Sequence, residues 1–88
     1  MLDRLHYNLA NALLRTGRLA EAIEQYEFAL RLQPHDANAH NNLAIALNRS
    51  GRRDEAIEHY REALRIRPDF GAAAENLRKL EEAAGANR

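Results

Sequence analysis

The sequence holds no cysteine, which removes disulfides, thiolate catalysis and zinc–thiolate sites and leaves every redox compartment open. It has no excess of either charge, since thirteen Lys and Arg balance thirteen Asp and Glu. No net field therefore draws it to nucleic acid or to an anionic membrane, and a partner must be recognised locally. No run approaches the roughly 18 apolar residues of a membrane span, and no basic leader with an apolar core opens the chain. These absences predict a soluble piece, with the cytoplasm as the expected compartment; a domain of a larger or membrane-linked protein would have the same composition. Hydroxyl groups are scarce as well. Besides tyrosine only Thr16 and Ser50 carry one, and both stand beside glycines at predicted helix ends, where a capping role is the simpler reading. No nucleophile–base triad, phosphate loop or metal signature can be assembled, so the expectation is no enzyme activity and no cofactor. Four histidines are present, but no two lie four apart on one helix, and a structural role is expected for each.

What the chain does contain is a repeat. Residues 3–36 and 37–70, slid by 34 places, agree at 18 of 34 positions. The matches run from His6/His40, Asn8/Asn42 and Leu9/Leu43 through Gly17/Gly51 and Tyr26/Tyr60 to Pro34/Pro68. A period between about 20 and 50 residues marks a stacked array in which each unit contacts only its neighbours. At 88 residues the chain has room for one domain with a small core.

Apolar residues recur at helical spacing within each unit. Leu5, Leu9, Ala12 and Leu13 predict a first helix over about 2–15, and Gly17 supplies its stop. Leu19, Ala22, Ile23, Tyr26, Ala29 and Leu30 predict a second, ending near Leu32 ahead of Pro34. Asp36 is placed to cap a third helix over about 37–50, and a fourth spans about 53–67 before Pro68. A fifth, over 71–84, keeps Leu77 and Leu80 but carries Arg78, Lys79, Glu81 and Glu82, as a solvated capping helix should. Residues 85–88 read as a tail.

Two helices per 34 residues, small alanines at fixed offsets, the aromatic pair Tyr26/Tyr60 and a closing proline make this sequence resemble the tetratricopeptide repeat (TPR) family. The resemblance covers residues 3–70, with a degenerate half-repeat from 71. It implies an all-α fold, an α-solenoid wound as a right-handed superhelix, built from two helix-turn-helix repeats and a capping helix, five helices in all. The first helix of each pair would line a concave side and the second a convex side. His6 and His40 stand where the family often has tryptophan, and Leu13 and Leu47 where tyrosine is common; all still fill space.

Asparagine recurs at one equivalent place in the three first helices, Asn8, Asn42 and Asn76. An amide offers donors and an acceptor that match peptide backbone whatever its side chains. Helices packed about 8–10 Å apart would place one such rung at about every third residue of an extended chain advancing about 3.3 Å per residue. The row resembles the asparagine-ladder repeats of the O-linked N-acetylglucosamine transferases. The same arc holds Tyr7, Asn11, Arg15, Asn38, Asn41, Ile45 and Arg49, with Arg4, Asn48, Glu75 and Lys79 beside them. Arg15 and Arg49 repeat and are suited to the carboxylates of a peptide. A second variant of the family grips chaperone C-termini. Here Asn11 and Asn42 fill its asparagine slots, but Tyr7, Ala72 and Asn76 replace its basic residues, so that role is not expected. Glu21, Glu24, Glu55 and Glu58 with Arg18, Arg31, Arg52 and Arg65 read as a solvated convex surface.

Three functional readings follow. The first is a protein–protein interaction module that holds an extended peptide or a partner segment on its concave face. The second is self-assembly, with Leu2, Leu5, Leu14 and Phe28 placed near an uncapped end and available to a homo-oligomer. The third is a substrate-recognition appendage of a larger enzyme such as a glycosyltransferase. The first also carries a test: alanine at Asn8, Asn42 and Asn76 together should abolish peptide binding and leave the fold intact.

Overall fold

A computed structural model describes residues 4–86. Five helices follow one another, α1 (Leu5–Arg15), α2 (Leu19–Leu32), α3 (Ala37–Arg49), α4 (Arg53–Ile66) and α5 (Gly71–Ala86). Each packs against the next, and α1 also touches α3. The result is a slab of 44 × 28 × 17 Å, all helical, in which first helices neighbour first helices. The expected boundaries hold within a residue or two except at the ends. α5 continues through Gly85 to Ala86, so the tail expected from residue 85 does not begin there; Asn87 and Arg88, like Leu2, lie outside the described residues.

The two repeats stop their helices by one device. Gly17 and Gly51 take φ of 80° and 82°, a left-handed conformation that costs a residue with a Cβ but not glycine. That turn lets Arg18 N–H reach Leu13 C=O at 2.9 Å and Gly17 N–H reach Leu14 C=O at 3.1 Å. Arg52 N–H to Leu47 and Gly51 N–H to Asn48, at 2.9 and 3.0 Å, repeat the pattern and satisfy the last carbonyls of α3. Thr16 adds its hydroxyl, which donates to Ala12 and Leu13 carbonyls at 3.1 Å. At the other ends, Gln33 and Arg67 are extended, with φ of −138° and −134°, because the following proline disfavours a helical residue before it. Asp36 caps α3, accepting from Ala39 N–H at 3.2 Å.

Between the helices sit the repeated small and large residues. Ala10, Ala44, Ala22, Ala56 and Ala63 are fully buried and let backbones approach, while Tyr26, Leu43 and Leu47 are the largest side chains out of contact with water. The array is not equally covered along its length. Ala39 and Leu43 of α3 are 0% exposed, whereas their equivalents in α1, Leu5 and Leu9, are 73% and 47% exposed. The difference is positional: α2 lies over that side of α3, and among the described residues no helix precedes α1. Leu14 was expected at this open end but is half-buried against the core, and Leu32 is exposed there together with Phe28.

The outer helices carry the expected ion pairs. Arg18–Glu21 and Arg52–Glu55, both at 2.8 Å and one repeat apart, bind three residues along the same helix. Arg65 pairs with Glu62 on α4.

Candidate functional site: the face of the first helices

The side chains singled out on α1, α3 and α5 form one connected set. Asn42, at the middle of α3, donates from its amide nitrogen to the Tyr7 hydroxyl at 3.2 Å and to Asn11 Oδ1 at 3.1 Å, both on α1. Asn11 Oδ1 also accepts from the Tyr26 hydroxyl, which reaches it from α2. Asn41 donates to Asn42 Oδ1 at 3.4 Å, and Asn76 of α5 donates to Asn41 Oδ1 at 3.5 Å. Tyr7 meets Tyr26 edge-on, with ring centroids 6.2 Å apart. Burial, and then the nearby Tyr7 hydroxyl, push the Tyr26 phenol far above its ordinary pKa, against pulls from the Asn42 amide and, less, from Arg15. Tyr26 therefore stays protonated, a donor to Asn11 at any physiological pH.

Two of these links are the same link. Tyr7 to Asn42 and Asn41 to Asn76 both span 35 residues, so each later asparagine of the row bonds back to the preceding first helix. Among the described residues no helix stands behind Asn8, and its exposed amide has no hydrogen-bond partner there. Asn8, Asn42 and Asn76 stand on α1, α3 and α5, but they are not alike in what they bond. Asn8 offers its whole amide. Asn42 has committed both N–H groups and retains acceptor capacity at Oδ1.

The remaining expected residues divide by exposure. Arg15, Asn48 and Arg49 are exposed, Asn38 and Ile45 half-buried. Asn38 accepts from Arg67 at 3.3 Å, and Ile45 packs on the core. Asn41, expected on the open surface, is only 6% exposed, since its amide is taken into the link between α3 and α5. Arg4 stacks over the Tyr7 ring at 4.4 Å and pairs with Asp36 at 3.6 Å. Glu75 and Lys79 pair within α5, where Glu75 also holds Arg78.

Three of the four histidines, His6, His40 and His59, are joints between the helices of a pair, while His35 is exposed in the turn before α3. His6 Nδ1 lies 2.8 Å from Gln25 Oε1, and its ring sits 4.1 Å from Phe28. The equivalent positions in the second repeat are His40 and His59, whose Nδ1 atoms are 3.0 Å apart. Spacing along a single helix does not reveal this pair; the 19-residue spacing shared by His6/Gln25 and His40/His59 is the signal that would. His40 Nε2 lies 2.8 Å from the Pro34 carbonyl. A carbonyl only accepts, so Nε2 is the donor, and in neutral His40 the Nδ1 atom accepts from His59. Among the described residues no third His, Asp or Glu joins the pair as a metal ligand set.

Burial first, and then His40, lower the His59 pKa below 6.5, with Glu58, Glu55 and Glu62 opposing. Since the unfolded chain then binds the proton more readily than the folded one, stability is full above about pH 6.5 and is lost as pH falls through the folded value. Urea unfolding at about pH 7.5 and about pH 5.5 should show this loss. His59→Gln copies the Gln25 solution of the first repeat and should reduce the difference; an unchanged difference would assign it to other groups.

Helix pairs of 34 residues, stacked so that first helices share a face stitched by side-chain amides, define a helical-repeat protein. A sequence model of the tetratricopeptide repeat matches residues 7–69, and the chain belongs to that family. Tetratricopeptide repeats in general mediate protein–protein interaction and are not catalytic. No curated protein matches the chain. No helix among the described residues is long and apolar enough to cross a membrane.

Proposed function

We propose that this chain is a binding module that takes an extended peptide, or an extended segment of a partner protein, across α1, α3 and α5 on its concave side. The observation that carries the reading is the polar set running from Tyr7 and Asn11 through Asn42 and Asn41 to Asn76, which holds three helices at one level. Beside it the Asn8 amide and the Arg15, Asn48 and Arg49 side chains are exposed. A main chain laid over this surface meets the Asn8 amide and the acceptor of Asn42. The kinship with asparagine-ladder repeats of O-linked N-acetylglucosamine transferases and a cytoplasmic setting belong to this reading, and a place as the recognition appendage of a larger enzyme is an alternative to it.

Amide chemical-shift mapping with a pool of mixed-sequence twelve-residue peptides tests it. Shifts should gather on α1 and α3 around Asn8, Asn11, Asn42 and Arg49. Shifts confined to α2 and α4, or none with any peptide, would end it.

Self-assembly is a second reading, favoured by the exposure of Leu5 and Leu9, whose equivalents in the second repeat are covered, together with that of Phe28 and Leu32. Sedimentation over a concentration series separates the two, since a strict monomer is incompatible with the second.

A further inference from the structure

The carboxylates of the helices lie entirely on α2, α4 and α5. α1 (LHYNLANALLR) and α3 (ANAHNNLAIALNR) carry none, and each ends on an exposed arginine, Arg15 and Arg49. Other cations near this face are already matched: Arg4 with Asp36, Lys79 with Glu75, Arg78 with Glu75 and Glu82. Among the described residues Arg15 and Arg49 have no ion-pair partner.

Their placement repeats with the array. Arg15 is close enough to the buried Tyr26 hydroxyl to act on it electrostatically, and Arg49 does the same to Tyr60. Each guanidinium thus stands at the end of the first helix of its repeat, within electrostatic reach of the tyrosine that packs the pair. α1 and α3 touch directly, so the two charges recur at about the separation of packed helices, 8–10 Å. The position one repeat further on is Ala83, so α5 has no counterpart to these arginines, and its Glu75, Glu81 and Glu82 are matched by Lys79, Arg61 and Arg78. The positive stretch is therefore two repeats long and ends where α5 begins.

Resting on the reading of this face as a peptide groove, we propose that its partner is an acidic segment, extended, with carboxylate side chains about three residues apart that seat on Arg15 and Arg49. Three residues of extended chain advance about 10 Å, which matches one step of the array. Guanidinium binds carboxylate through two parallel hydrogen bonds, and with the donors of Asn42 committed to α1, selection falls to these two charges. The acidic residues lie over α1 and α3, and the part of the ligand nearing α5 carries none.

The probes are three twelve-residue peptides: one with glutamate at every third position among serine and alanine, its lysine counterpart, and a neutral serine version. The glutamate peptide should bind with shifts at Arg15 and Arg49 and weaken steeply as salt rises. Arg15→Gln and Arg49→Gln should each weaken it by about five- to tenfold, with unchanged unfolding midpoints because both residues are exposed. Equal binding of the lysine or neutral peptide on α1 and α3, or no effect of the double variant, would overturn the acidic specificity and leave the groove standing. Failure of all three peptides to shift α1 and α3 would remove the groove reading and this proposal together.

Discussion

Replacing Leu43 with alanine should lower the unfolding free energy by about 2–5 kcal/mol, and the same replacement at Leu9 by less than about 1 kcal/mol. The two leucines occupy one position of the repeat, 34 residues apart, so the chemistry of the change is identical. What differs is cover. Leu43 is 0% exposed and Leu9 47%. Leu43 sits at the floor of a cleft lined by Leu30 and Glu27 of α2, Pro34, and the His40/His59 pair. Its removal leaves a void there, and rigid neighbours on α2 and α3 close it only in part. Leu9 leaves no void, since water already reaches it. For a domain this small each kcal/mol is worth about 4–8 °C in Tm, so thermal melts of the two variants should separate by on the order of 10 °C. Equal losses would mean that α1 is covered in solution, and a concentration-dependent melt of the wild type would then point to a second copy as the cover.

This asymmetry also marks how much of the molecule was legible in the sequence. The helices were, because Gly17, Gly51, Pro34 and Pro68 punctuate them through local backbone physics that needs no tertiary information. The stacking was legible from the period. Burial at the end of the array was only half legible. Leu5 and Leu9 have the helical spacing of core residues, and spacing cannot tell whether a helix lies opposite. The candidate site followed the same rule. Equivalence placed Asn8, Asn42 and Asn76 on first helices, but whether an amide faces a ligand or a neighbour depends on what stands one helix back. Tyr7 stands behind Asn42, and Asn41 behind Asn76. The burial of Asn41 was unreadable for a further reason. A solvated asparagine and one whose amide is satisfied by an adjacent helix occur in the same sequence pattern.

Asn42→Ala should therefore destabilise the chain by about 1–2 kcal/mol, while Asn8→Ala changes stability by less than about 0.5 kcal/mol. Removing the Asn42 amide strips the Tyr7 hydroxyl of a donor, leaves Asn11 Oδ1 with Tyr26 alone, and deprives the Asn41 amide of its acceptor. Tyr7 and Asn11 are half-buried, so water replaces part of what is lost, and the cost stays near the lower end for unpaired polar groups. Asn41 is almost fully buried and less readily rehydrated. A double-mutant cycle with Tyr7→Phe isolates the bond between α1 and α3, and a coupling energy above about 0.5 kcal/mol is expected for direct partners. The triple alanine variant that the sequence suggests as a clean binding test is thus not clean, because two of its three changes, at Asn42 and Asn76, remove bonds between successive first helices. Asn8→Ala is the substitution that alters the groove without touching the stack, and any loss of peptide binding it causes is a loss of contact. Urea unfolding of Asn42→Ala at wild-type stability would show that the cross-helix amide bonds carry no net free energy, and the asparagine row would then have only a ligand to account for it.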